Sequence, residues 1–237
     1  MKSIVCAGVT SMTLLCGCSE STDGTGTAAP DAGSSPAGTS AATSTATASA
    51  TTEPSPPEMP VFGVLETTRR PLGPDALTCE PPERPAGAQQ VSFSQPAPGI
   101  PLITIMIPET WTTAVAQNDP TMSMTGPDGL TGRLTVTPTD LDPAAAFEKY
   151  SDDVTAEAPI SSVSVLPAEL CGYSGQELMG MLSGGEGDGI EYRDRIAHVW
   201  TDGPSYLVAI HVEGPQGGEA LSAAADLILA DFGVQIP

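Results

Sequence analysis

The chain has 237 residues, with 8 Lys+Arg against 29 Asp+Glu, a formal net charge of −21 and 4% aromatic residues. So acidic a chain repels phosphate backbones, which excludes nucleic-acid binding, and it disfavours flat adsorption on anionic lipid. No stretch reaches the ~18–20 continuous apolar residues of a membrane helix.

Lys2 supplies a positive start, and Ile4 to Leu15 is an apolar run of signal-peptide length, too short to span a bilayer. The run ends in Leu15-Cys16-Gly17-Cys18, which reads as a bacterial lipobox. Gly17 is small enough for the backbone to fit the signal peptidase, and Leu15 fills an apolar subsite. Cys18 supplies the nucleophilic sulfur that takes the lipid. Cys16 follows the bulky Leu15, and Cys6 has no apolar run before it, so neither fits. The alternative is an ordinary secretory signal cut elsewhere. On the lipobox reading residues 1–17 are a removed signal peptide, Cys18 is the lipidated N-terminus, and 7 basic groups face 29 acidic ones, a net −22. The expected location is the extracytoplasmic face of a cell membrane, where each buried acyl CH₂ contributes roughly 0.8 kcal/mol.

Residues 18–60 are Ser, Thr, Ala, Gly and Pro with no apolar period, as in Thr43-Ser44-Thr45-Ala46-Thr47. Such a segment cannot offset the entropy of ordering and reads as a disordered tether. A coil of about 60 residues from Cys18 to Cys79 has a reach of roughly 40–50 Å. Its Thr/Pro composition also matches O-glycosylated stalks. Residues 61–90 read as a docking arm: Val61-Phe62-Gly63-Val64-Leu65 is a short strand or a segment that packs on the domain, and Cys79 ties the arm down. With the leader gone and Cys18 acylated, Cys79 and Cys171 remain. An even pair in an exported protein is most simply a disulfide. A redox or metal pair is the alternative, but there is no CxxC spacing and no His beside either Cys.

Residues 91–237 read as one α/β domain of about 145 residues. Strands are expected at Val91–Ser94, at Leu102–Ile107 before Pro108, and in a hairpin of Met122–Met124 with Leu134–Val136 around the turn Gly126-Pro127-Asp128-Gly129. Asp142-Pro143 starts a helix with Phe147, Tyr150 and Val154 on one face. Strands follow at Val163–Leu166, Glu177–Leu182, Ile190–Trp200 and Tyr206–Val212. A helix closes the chain from about Gly218 to Phe232, with Leu221, Ala225, Ile228 and Phe232 inward and Gly233 as its cap. The absence of βαβ alternation predicts an α+β fold, a mainly antiparallel sheet with packed helices.

The run Ile105-Met106-Ile107-Pro108-Glu109-Thr110-Trp111 resembles the strand-Pro-x-x-Trp opening of the LpqN/LpqT-type lipoproteins of mycobacteria and their relatives. The Asp142-Pro143-Ala144 helix, the long hairpin ending in Tyr206-Leu207-Val208-Ala209-Ile210 and the closing helix follow in that family's order. The resemblance covers residues 97–234, the lipobox and the tether. It implies a PsbP-like α-β-α sandwich and a cell-envelope lipoprotein with no enzymatic activity. The Cys79/Cys171 pair is not part of the family's pattern.

Candidate chemistry is sparse. If Trp200 pairs with Tyr206, His198 lies opposite Val208 and His211 opposite Arg195, so the imidazoles point to opposite faces, His198 partly buried and His211 at the surface. Asp194 shares His198's face, without a nucleophile in sight. The acidic loop Glu186–Glu191 lacks the alternating oxygens of calcium loops. Met106, Met122, Met124, Met179 and Met181 read as core filler; with Trp111 and Trp200 they could instead border a lipid groove. No catalytic residue, cofactor or metal is assigned. The expectation is a monomeric, non-enzymatic envelope lipoprotein that meets a protein partner or an envelope amphiphile. The alternative is a lipid or glycolipid carrier with an apolar cavity, and an enzyme ranks last.

Overall fold

The structure, a computed structural model, describes residues 61–73, 75–95, 97–116, 120–184 and 189–237. All of them belong to the second of two compact units, Pro56–Pro237; the first, Met1–Ser55, lies outside the described residues, as do Cys18 and the whole tether, 18–60. Residues 185–188 of the acidic loop are also outside them. Among the described residues no helix is long and apolar enough to cross a membrane.

The architecture is α+β. Among the described residues eleven strands, β1 (Ala76–Cys79), β2 (Ala88–Phe93), β3 (Leu102–Pro108), β4 (Thr112–Val115), β5 (Thr121–Thr125), β6 (Thr131–Thr139), β7 (Ile160–Pro167), β8 (Ser174–Ser183), β9 (Ile190–Trp200), β10 (Ser205–Pro215) and β11 (Gly233–Ile236), pack with α1 (Pro143–Thr155) and α2 (Glu219–Ile228). The strands form two antiparallel sheets where the sequence suggested one. The larger runs β4-β5-β6-β10-β9-β8-β7 and the smaller β1-β11-β3-β2.

α1 forms where its sequence signals place it. Asp142 is the N-cap, its carboxylate accepting from Ala145 N at 2.9 Å, and Pro143 takes the first position, where no N–H is needed. Phe147 buries against Leu178, Ile196 and Ala209, and Val154 against Leu182 and Tyr192, so α1 covers one face of the β8–β10 region. The opposite face, with Ala197, Val199, Val208, Ile210 and Val212, packs against α2 and against Ile103, Ile105 and Ile107 of β3. Met106, Met122, Met124, Trp111 and Trp200 are buried, as core filler would be. Met181 is exposed.

The C-terminal helix is shorter than its pattern implied. It stops at Ile228, and Gly233 is not its cap but the first residue of β11, paired with Thr104. The reason is a change of period: Val234 and Ile236 alternate inward, and a strand wedged between β1 and β3 satisfies more backbone than another helical turn would. Phe232 is still buried, from the connecting loop.

The arm docks on the domain without becoming a strand at its start. Gly63 O accepts from Gly175 N at 2.9 Å, Phe62 O accepts from Gln176 Nε2 at 2.7 Å, and Ser174 Oγ accepts from Leu65 N at 2.9 Å. Gly63 sits at φ 72, and a Cβ there would lie 2.0 Å from Gly175 O, so only glycine fits. Further along, Cys79 closes β1 and bonds to Cys171, with Cα atoms 5.6 Å apart. Tyr173 donates its hydroxyl proton to Thr78 Oγ1 at 2.8 Å beside that bond. Together they fasten the edge of the small sheet to the β7–β8 connection of the large one.

Candidate functional site: a surface groove and the buried charges beside it

The β9–β10 register decides where the titratable side chains go. Ser205, not Tyr206, pairs with Trp200. Thr201 belongs to the turn: its hydroxyl donates to Pro204 O at 2.8 Å and accepts from Gly203 N at 3.0 Å, which leaves a four-residue connection, Thr201–Pro204. The expected pairings of His198 with Val208 and of His211 with Arg195 are therefore replaced by His198 with Leu207 and His211 with Asp194. Both histidines point to the α1 face, contrary to the expected opposite faces. They remain about four residues apart along the ladder, roughly 13 Å, too far to share one ion.

His211 is not at the surface: it is 1% exposed. Its Nδ1 lies 2.5 Å from Asp194 Oδ1 and its Nε2 3.2 Å from Glu213 Oε2. A ring with an acceptor at each nitrogen is held as imidazolium. Burial alone pulls its pKa down, but the neighbouring Asp194 and Glu213 carboxylates outweigh that and raise it to about 9. Glu213 is correspondingly held low by its bond to His211. The Tyr192 ring stacks over the imidazole with centroids 5.8 Å apart, and burial followed by the Asp194 charge pushes that phenol up to about 12. Tyr150, from α1, places its hydroxyl within electrostatic reach of Asp194; burial and then that charge raise it well above the usual tyrosine range. Neither that hydroxyl nor the Asp194 carboxylate makes a well-aligned hydrogen bond among the described residues. The cluster is a sealed ion pair under α1. Among the described residues, the side-chain polar contacts of His211 are to Asp194 and Glu213 alone, with no serine, cysteine or threonine.

His198 is buried at 4% and neutral, its pKa lowered chiefly by desolvation. Its Nε2 is 3.0 Å from Leu141 O, a carbonyl, so that nitrogen carries the proton. The bond pins the loop between β6 and α1, which borders two adjoining clefts. The first, of about 700 Å³, is polar, walled by Arg69, Asp140, Asp142, Thr139, Ser205 and His198. Arg69 donates to Ser205 Oγ at 2.9 Å across it. The second, of about 350 Å³, lies between α1 and β6/β10, with Leu207, Ala209 and Ala146 as its apolar floor and Thr135, Thr137, Lys149 and Tyr150 around it. Thr139 and Leu141 line both clefts, and Leu141 is 42% exposed. The result is one groove with a hydrogen-bonding end and an apolar end.

The groove was not legible in the sequence, because its residues come from four separate segments. The one available signal was Thr201, a residue type that staples turns. Placed in the turn, it gives the observed register and the Asp194–His211 pairing. Among the described residues no group of three or more His, Cys, Asp or Glu could hold a metal ion.

No family model matches the chain, and no curated protein matches it by sequence. Solved structures do match. One structural neighbour is LpqN. That crystal structure, described as LpqN involved in cell envelope biogenesis of Mycobacterium tuberculosis, superposes with a TM-score of 0.49 at 18% identity, over 62% of this chain and 91% of LpqN. LpqN bears the name of the lipoprotein type that the run Ile105–Trp111 resembles. A protein from Bacteroides thetaiotaomicron matches at a TM-score of 0.33 and 13% identity, over 57% of this chain and 48% of its own.

Proposed function

We propose that this chain is a cell-envelope lipoprotein, anchored through Cys18, that works by binding and not by catalysis. The observation that carries the reading is the two-ended groove beside α1. Its polar end offers a guanidinium, carboxylates and hydroxyls, while its adjoining apolar end has Leu207 and Ala209 for a floor. That pairing of surfaces suits an amphiphile with a polyhydroxylated head. A tether of 43 residues, 18–60, would hold the groove away from the lipid surface. The Cys79–Cys171 bond supports the exported location, since disulfides persist outside the reducing cytosol.

A carrier with an enclosed apolar cavity is the second reading. Both ends of this groove open to solvent, which favours docking at the surface over full enclosure.

The test is site-specific photocrosslinking in intact envelopes with a photoreactive residue at Leu141, which is exposed and lines both ends of the groove. A control residue goes at Asp128, in the β5–β6 turn. Adducts at Leu141 well above the control identify the ligand, lipid or protein. Equal labelling at the two sites sinks the groove as the working surface. Intact mass of the mature protein tests the anchor separately: it should begin at Cys18 with acyl chains, and a bare N-terminus would remove it.

A further inference from the structure

β7 is the outer strand of the large sheet. It pairs with β8 from Ile160↔Ser183 to Pro167↔Gln176 with no break in register. Among the described residues, its other side is a row of backbone groups without a strand partner. Edges of this kind are normally blunted by shortness, charge or a bulge. β4, at the far edge of the same sheet, is blunted by having only four residues. β7 has eight, reads Ile-Ser-Ser-Val-Ser-Val-Leu-Pro, carries no charge, and exposes Ile160 at 60% and Leu166 at 47%.

The segment is also close to a palindrome. Pro159 and Pro167 stand at equal distances on either side of Val163, as do Ile160 and Leu166, and Ser162 and Ser164. We propose that β7 is a self-pairing edge, through which two copies of this chain join antiparallel about a two-fold axis at Val163 to make one continuous sheet.

In that register Ile160 meets Leu166, Ser162 meets Ser164, Val163 meets its own copy, and Ser161 with Val165 is the one unlike pair. The prolines, which cannot donate to a ladder, fall opposite each other at the two ends. Opposed residues share a face, so the register keeps the two α1 helices on the same side of the joined sheet. On the other side each exposed Ile160 covers a Leu166, and both lose their contact with water. A register centred on any other residue of β7 shortens the overlap between the prolines and leaves an Ile or Leu against a serine or uncovered. Self-complementarity of this kind is what a two-fold interface requires and what pairing with an unrelated strand does not.

The charges modulate the association. Glu148 and Asp152 of α1 line one cleft with Val165, so the joined sheet brings them toward their own copies across the axis. The pair is therefore held weak in dilute solution and strengthened by salt that screens those carboxylates. Two lipid-tethered copies confined to one membrane plane meet at a far higher effective concentration. This replaces the monomer expected from sequence with a monomer–dimer equilibrium.

The test uses full-length mature protein reconstituted in phosphatidylcholine vesicles, under mild oxidation. Ser162→Cys and Ser164→Cys chains are prepared separately and then mixed. The mixture should crosslink at least tenfold faster than either variant alone, and tenfold faster than Val115→Cys on the exposed far edge. Raising the salt should increase the yield. Ile160→Lys, an exposed position, added to both the Ser162→Cys and the Ser164→Cys chains, should abolish their crosslinking while leaving the urea midpoint unchanged. Equal rates for mixed and single variants, or equal rates at β7 and β4, overturn the proposal, as does crosslinking that falls with salt.

Discussion

Reducing the Cys79–Cys171 bond should cost this domain more than any other single covalent or side-chain change. The bond joins positions 92 residues apart. In the chain-entropy model a loop of that length is worth about 4–5 kcal/mol, because the open chain gains the conformations that closure forbids. The native state offers nothing to recover that loss. β1 is four residues long and pairs only with β11, through a register shifted between Leu77 and Cys79. Beyond the disulfide, the Tyr173–Thr78 hydrogen bond at 2.8 Å ties it to the large sheet. The assay is urea unfolding of wild type against Cys79→Ala/Cys171→Ala, with wild type plus reductant as a second arm. With a slope of about 2 kcal/mol/M, the midpoint should fall by about 2 M. Hydrogen exchange should show β1 and the arm losing protection before the central strands. A midpoint shift below about 0.5 M at unchanged slope would refute the reasoning, since the open chain would then have gained little freedom.

The buried His211 makes stability depend on pH. Its folded pKa of about 9 stands above the ordinary value of 6.5, so its contribution is fully present below the lower value and is lost as pH rises through the upper one. The contribution is on the order of 3 kcal/mol, so the urea midpoint should decline between pH 7 and 9.5, and His211→Gln should flatten that decline. Matching slopes in the two proteins would dismiss the ion pair as the cause. Gly63→Ala places a Cβ 2.0 Å from Gly175 O at φ 72, so the arm should lift from the domain at a cost of about 1–3 kcal/mol. Faster trypsin cleavage after Arg69 reports that release, and an unchanged rate contradicts it. Asp142→Ala removes the α1 cap and should destabilise by about 1 kcal/mol in urea, leaving the β-sheet circular dichroism intact.

Local signals carried much of the fold. Asp142-Pro143 placed the start of α1, because capping is decided within four residues. β9 runs from Ile190 to Trp200, as its alternation indicated, because a strand with a buried face carries a period of two. The elements without such signals were invisible. β4 is Thr-Thr-Ala-Val, exposed throughout, and exists because β5 offers it an edge. β11 is four residues that follow a helical pattern, and its strand character comes from the slot between β1 and β3. In both cases the partner strand makes the element, and a partner distant in sequence leaves no local trace.

The site failed to read for a sharper reason. Turning one residue, Thr201, from strand to turn moves every cross-strand pair of β9 and β10 by one step. Because side chains alternate in direction, that single step carries His211 from the surface to the core and sets it against Asp194. A buried imidazolium between two carboxylates is costly to assemble and costly to break. Its position under α1, beside the groove and 0% exposed at Asp194, suggests what it does there: it fixes the β9–β10 register and the seat of Tyr150, which lines the groove's apolar end. If so, His211→Gln should loosen ligand retention at Leu141 as well as flatten the pH profile. A polar isostere that spares photocrosslinking while lowering stability would separate the two roles and leave the ion pair with structure alone.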